Sequence, residues 1–237
     1  VSPTAHAADD RSIVENLTGI AEVVRMARTV AEGRSIHVSP VTIATRFGPY
    51  PAGPAGPDDL PPAVDPRQMS LLGAAWTVGA IAALAIARAD SATLYETTGW
   101  RGVIERDGGS PRPDRFPSRP GQVFPLYLVL AELAHRAGGR LLHIEASHPL
   151  DVIALGVEDQ GGRHALVANV TPDPQRVHVR GLGPSPGARI LDEATAQWAL
   201  DDPSGFRSMG GQPLVGDEDG VWLALGPFAV ARLDASA

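Results

Sequence analysis

The chain has 237 residues, 43% of them apolar, and a mean hydropathy of -0.03, which suits a soluble globular protein of one large or two modest domains. A formal charge of -7, a pI near 5.4 and scattered basic residues such as Arg25, Arg67, Arg101 and Arg163 argue against nucleic acid as a partner. Cysteine is absent, which excludes disulfides, thiolate metal sites and cysteine nucleophiles, and points to a reducing, cytoplasmic setting.

Val1-Ser2-Pro3-Thr4 reads as a strand entered mid-run, so the chain is expected to be part of a longer protein. After Asp9-Asp10, the apolar residues Ile13, Leu17, Ile20, Val24, Ala27 and Val30 recur at helical spacing up to Gly33 and predict one amphipathic helix. Glu15 follows Ser12 at capping-box spacing, which gives it a structural rather than a catalytic role. Ser35 to Thr42 is short and β-rich, with Pro40 marking the end of its pairing. The Pro/Gly-dense stretch from Phe47 to Val64 is expected to be a functional loop or lid, or a disordered insert.

Order resumes at Asp65-Pro66-Arg67-Gln68, where Asp65 caps, Pro66 takes the first helical position and Gln68 reaches back. The helix so opened runs to about Ala89. Its apolar core, Leu71 to Ile86, is too short and too Ala-rich for a bilayer span, and no membrane partner is expected. Ala92 to Glu96 is a second complete strand, Gly99 to Gly121 a loop, and Pro125 to Ala137 a helix ended by Gly138-Gly139. Alternation of short strands with helices implies a parallel sheet covered by helices.

From Leu141 the texture becomes short β runs, with no helix of comparable strength, and an antiparallel β-sandwich follows. The predicted division is 1–138, three βα units, and 139–237, the sandwich. A closed barrel takes eight such units and about 250 residues. The α/β part is therefore read as the C-terminal part of a (β/α)8 TIM-type barrel, with five strands upstream.

In parallel β/α folds, loops and helix N-termini converge at the C-terminal ends of strands, and catalytic groups gather there. Glu96 is the principal candidate: it ends an apolar strand, has no helix to cap, and is flanked by Tyr95 and Trp100. Its carboxylate can act as base or nucleophile, and the aromatics can support a sugar ring. The alternative is a structural ion pair with Arg46 or Arg101. His6 with Asp9 could form an oriented base, or Asp9 and Asp10 could merely favour the positive end of the following helix dipole. Ser39 lacks a nucleophile elbow and is read as a hydrogen-bonding residue. His37, between Ile36 and Val38, is read as a core or barrel-interior histidine. No close-spaced ligand motif supports a metal site, and no cofactor is expected.

The stretches Ser2-Pro3-Thr4-Ala5-His6, Val14-Glu15-Asn16, Val38-Ser39-Pro40-Val41-Thr42, Val64-Asp65-Pro66-Arg67-Gln68, Tyr95-Glu96-Thr97-Thr98-Gly99-Trp100-Arg101-Gly102 and Phe124-Pro125-Leu126-Tyr127 resemble the D-apionate lactonase (D-apionolactonase) family of bacterial apiose catabolism. The resemblance extends from Ser2 into the sandwich and is densest around Glu96. It implies a glycosidase-like barrel with a C-terminal β domain, and hydrolysis of D-apionolactone to D-apionate, a small-molecule sugar lactone being the partner. On that reading Glu96 or His6 is the base, with Asp9 beside His6. Arg46, Thr97 or Arg101 polarises or holds the substrate, and Ser39, Tyr95 and Trp100 complete the binding set. A glycoside hydrolase of the same architecture and a non-catalytic carbohydrate-binding piece are the alternatives. The 237 residues alone are expected to be inactive, and the sequence does not report oligomeric state.

Overall fold

In the computed structural model, residues 9–44, 56, 59–183, 186–217 and 219–235 are described. Asp9 caps α1 (Asp10–Glu15), and α2 (Leu17–Val30) follows directly. The predicted single helix is thus two, divided at Asn16, whose side chain donates back to the Ser12 carbonyl at 2.9 Å. The N-cap is Asp9 rather than Ser12, and Glu15 instead holds Arg11 at 2.8 Å.

Strands β1 (His37–Val41) and β2 (Ser91–Leu94) pair in parallel, with His37 opposite Ser91 and Val41 opposite Leu94. Between them a 3-10 turn over Pro66–Met69 leads into α3 (Leu71–Ile86). The predicted helix start at Asp65 is corrected: Asp65 caps the short turn, and Ser70 begins α3 by accepting from the Gly73 amide. Gln68 does not close a capping box; its side-chain amide donates to the Gly102 carbonyl at 2.6 Å.

α3 is apolar on nearly every side, as suits a helix covered by other elements all round. Trp76, fully buried, donates its indole N–H to the Ile13 carbonyl at 3.1 Å and ties α3 to α1. A Cβ on Gly79 would meet Leu17 Cδ1 at 2.5 Å and Ile153 Cδ1 at 2.9 Å, so the missing side chain lets both neighbours close on α3 in their present positions.

α4 (Pro125–Ala134) completes the helical layer, and the chain enters β3 (Arg140–Leu142). Next come β4 (Val152–Asp159), β5 (Gly162–Asn169), β6 (Gln175–Val179) and β7 (Gly187–Leu191). The last strands are β8 (Gln212–Pro213), β9 (Gly216–Asp217), β10 (Gly220–Leu225) and β11 (Val230–Ala235). They form a six-stranded sheet, order β3-β4-β5-β11-β7-β8, and a three-stranded sheet, order β6-β10-β9. All of these pairings are antiparallel.

One face of the larger sheet, through Leu155, Leu166, Ala168 and Val230, joins the core of α3 and α4. The other face, through Ala165, Val167, Ala231 and Leu233, packs with Leu223 and Leu225 of the smaller sheet. Two helices absent from the sequence reading interrupt the β runs, α5 (Glu193–Asp201) and α6 (Pro203–Ser208). Asp192 and Thr195 close a reciprocal capping box on α5, and Asp202 caps α6 ahead of Pro203. No helix among the described residues is long and apolar enough to cross a membrane.

Candidate active site

The C-terminal ends of β1 and β2 lie side by side, and the chain leaves β2 through a sharp turn. Tyr95 takes φ +59°, a left-handed conformation uncommon outside glycine. This reversal drives its ring into the core, 4% exposed, where the hydroxyl meets Thr77 Oγ1 at 2.7 Å. Burial pushes the phenol above its usual value. The expected role of Tyr95 as a sugar platform is therefore not what the geometry offers: its ring serves the helical layer.

Glu96 is left half-buried beyond the strand end, its side chain 35% exposed. Its backbone N–H donates to the Arg101 carbonyl at 3.0 Å, and Arg101 Nη2 lies 3.2 Å from Glu96 Oε1. The pairing weighed from sequence is present, and it fixes the carboxylate without burying it. The turn that carries both residues is closed by Gly102 N–H to the Gly99 carbonyl at 2.6 Å and Val103 N–H to the Thr97 carbonyl at 3.1 Å. A Cβ on Gly102 would stand 2.6 Å from the Thr98 backbone, so the turn requires glycine there. Thr97 and Thr98 are exposed, and Trp100 packs its ring partly on the core. Glu96, Thr97, Trp100 and Arg101 are thus brought together on one tight turn.

Two supports of this turn went unread in the sequence. Gln68, buried, anchors it through Gly102. Glu105, 1% exposed, accepts from the Arg106 amide at 2.7 Å and from the Ser118 hydroxyl, which braces the loop from inside. The only sequence signal for Gln68 was its place in a helix start, which suggested a cap. A buried carboxylate satisfied by local donors, as in Glu105, leaves no periodic signature.

The other candidates are distributed differently. Asp9 is engaged as a helix cap: its Oδ1 accepts from the Ser12 amide at 2.9 Å and its Oδ2 from the Ser12 hydroxyl at 2.7 Å. These bonds, the backbone one foremost, hold its carboxyl below the usual range. Ser39 is exposed on β1, on the side of the strand opposite Val38. His37 is exposed, with Nδ1 2.7 Å from Ser91 Oγ at the starting ends of both strands, the end away from Glu96. His6 and Arg46 lie outside the described residues, as does most of the Pro-rich stretch. Among the described residues, no three His, Asp or Glu side chains converge as metal ligands do.

Two parallel strands alternating with helices, followed by a two-sheet sandwich packed on those helices, fit the C-terminal part of a TIM-type barrel with an immunoglobulin-like domain behind it. Sequence comparison makes the assignment specific. Residues 1–138 match the D-apionate lactonase TIM barrel domain, and residues 149–233 match the C-terminal immunoglobulin-like domain of the same family. The chain belongs to the D-apionate lactonase family.

A D-apionate lactonase from Brucella anthropi is 26% identical over 182 residues, 75% of this chain. The match spans 28% of that relative's length. Among solved structures, a GH30 endoxylanase from Clostridium papyrosolvens superposes with a TM-score of 0.56 at 10% identity, covering 93% of this chain and 46% of the other. A family 51 α-L-arabinofuranosidase from Bifidobacterium longum gives a TM-score of 0.56 at 14% identity, covering 98% and 51%. At such identities these two similarities establish the fold.

Proposed function

We propose that the whole protein is a sugar lactonase, hydrolysing D-apionolactone to D-apionate in bacterial apiose catabolism, with Glu96 as the general base. The family assignment supports the reaction class. The observation that carries the residue assignment is the Glu96 carboxylate itself, held at the C-terminal end of a barrel strand by Arg101 and still open to solvent.

Lactone opening needs a water deprotonated as it attacks the carbonyl carbon, and donors where the carbonyl oxygen gains charge. Glu96 takes the proton from water, and the Arg101 guanidinium and the Thr97 hydroxyl stand on the same turn as donors. Collapse of the tetrahedral species breaks the ring C–O bond. The proton held by Glu96 passes to the departing alkoxide, giving the hydroxy acid, whose carboxyl group then loses the second water proton to solvent and becomes the carboxylate product. Trp100 supplies an apolar wall for the sugar. His6 and Arg46 are carried in this proposal as further contributors, a second base and a substrate-holding cation.

The test offers the whole protein a panel of aldonolactones, including D-apionolactone, alongside aryl glycosides. Lactone turnover is expected, and Glu96→Gln should lower kcat by about 10²–10⁴-fold, the range of a general base. Undiminished lactone turnover in Glu96→Gln removes the assignment, and turnover of aryl glycosides alone replaces the reaction with glycoside hydrolysis.

A further inference from the structure

Where α4 meets the six-stranded sheet, charges are unevenly matched. The carboxylate of Glu132 on α4 faces three guanidinium groups. Arg189 Nη2 is hydrogen-bonded to its Oε1, Arg232 Nη1 is 2.9 Å from its Oε2, and Arg207 Nε is 3.7 Å from its Oε1. Arg232 Nε is also 2.7 Å from Asp234 Oδ2, a contact of charge without hydrogen-bond direction. Arg136 adds a fourth cation, reaching Asp159 and Asp234, each at 3.1 Å. Four arginines therefore share three carboxylates.

The deficit falls on Arg207. Its side chain is 21% exposed, and its buried Nε has no hydrogen-bond partner. A guanidinium N–H withdrawn from water without an acceptor is costly, because donors that lose water need replacement partners, and the Arg207 terminal nitrogens make no hydrogen bond among the described residues either. Beside it opens a cleft of about 450 Å³ between α4 and α6, with Glu132 and Arg232 at its base and His135, Arg136, Ser204, Arg207 and Ser208 around it. Ser204, Arg207 and Ser208 are spaced to share one face of α6. Ser208 donates to the Ser204 carbonyl at 2.8 Å, whereas the exposed Ser204 hydroxyl carries no hydrogen bond within the fold.

The geometry points to a binding site for a small oxyanion in this cleft, held by Arg207 and Arg136 with the Ser204 hydroxyl at its rim. A planar guanidinium matches phosphate and carboxylate alike, and an anion in the cleft meets the terminal nitrogens of Arg207 and adds the negative charge that the four-arginine cluster lacks. The site is separate from the turn bearing Glu96. That turn leads into the N-terminal end of α4, and the cleft opens at the other end of this ten-residue helix, about 15 Å away along its axis.

The experiment titrates the full chain with inorganic phosphate and, separately, with sodium gluconate, at ionic strength held constant with NaCl, reading heat of binding and Tm. Saturable binding of at least one anion with a rise in Tm is expected. Phosphate alone identifies an inorganic ligand, and gluconate alone a sugar-acid carboxylate. Arg207→Gln should weaken binding at least tenfold, and Ser204→Ala several-fold, while Arg115→Gln on the exposed surface leaves it unchanged. Without anion, Arg207→Gln should melt no lower than the parent, since it removes an unmatched cation. Absence of saturable binding by both anions overturns the inference. So does unaltered affinity in Arg207→Gln; if that variant misfolds, unaltered affinity in Ser204→Ala overturns it equally.

Discussion

The two sheet systems of this chain are covered in opposite ways. The six-stranded sheet is sealed on one face by helices and on the other by the smaller sheet, and β5 is buried over almost its whole length. The β1–β2 pair buries Val38 and Val41 towards the helices but leaves His37, Ser39, Ala92 and Thr93 exposed. Among the described residues the join between helices and sandwich is the more fully covered of the two. The candidate chemistry sits beyond the C-terminal ends of the strand pair, the end at which a β/α barrel gathers its reactive groups.

Removing the central carboxylate of the join is the strongest way to break that contrast. Glu132→Ala leaves Arg189, Arg207 and Arg232 facing one another, and a loss of about 3–5 kcal/mol is expected, the cost of uncompensated buried charge. Urea denaturation measures it, and an unchanged midpoint would show the join to be held by apolar packing alone. A smaller effect, about 1–3 kcal/mol for an overpacked site, is expected of Gly102→Ala. Lactone turnover should fall with it, because Glu96 and Arg101 ride on that turn; preserved kcat would uncouple the turn from the chemistry.

Tyr95→Phe sharpens the comparison further. Loss of the hydroxyl bond to Thr77 should cost about 0.5–1.5 kcal/mol and leave kcat and KM unchanged. A collapse of turnover at unchanged stability would assign the hydroxyl to the substrate site instead. The smallest effect concerns Asp9. Its folded carboxyl titrates below the ordinary 3.8, so the stabilisation is complete above that value and is lost as pH falls through the depressed one. Asp9→Ala should melt below the parent at neutral pH, and the gap should close on acidification well below pH 3.8. A constant gap would mean that the cap acts without its charge.

Much of the architecture was legible because periodicity reports burial. Ile13, Leu17, Ile20 and Val24 mark the buried faces of α1 and α2, and the short β runs after Leu141 mark the sandwich. The helices α5 and α6 were missed because they are short and only Ala199 and Phe206 are buried on them, too few to set a period. Their start signals, Asp192 with Thr195 and Asp202-Pro203, were nonetheless present. At the site, Glu96 and its partner Arg101 could be anticipated from the strand-end position. The direction of Tyr95 could not, since strict strand alternation fails where φ turns positive. The interface arginines were equally unreadable, because Glu132, Arg189 and Arg232 come from three elements far apart in sequence.

Gly79 carries a consequence for how the two units can be separated. Its missing side chain lets a barrel helix and a sandwich strand, through Leu17 and Ile153, press against one point of α3. The immunoglobulin-like unit is thus no detachable appendage on a tether: it forms one wall of the groove in which the barrel's own helix lies. A protein cut after residue 138 would expose that apolar flank to water, and self-association rather than a soluble half-barrel is the expected outcome.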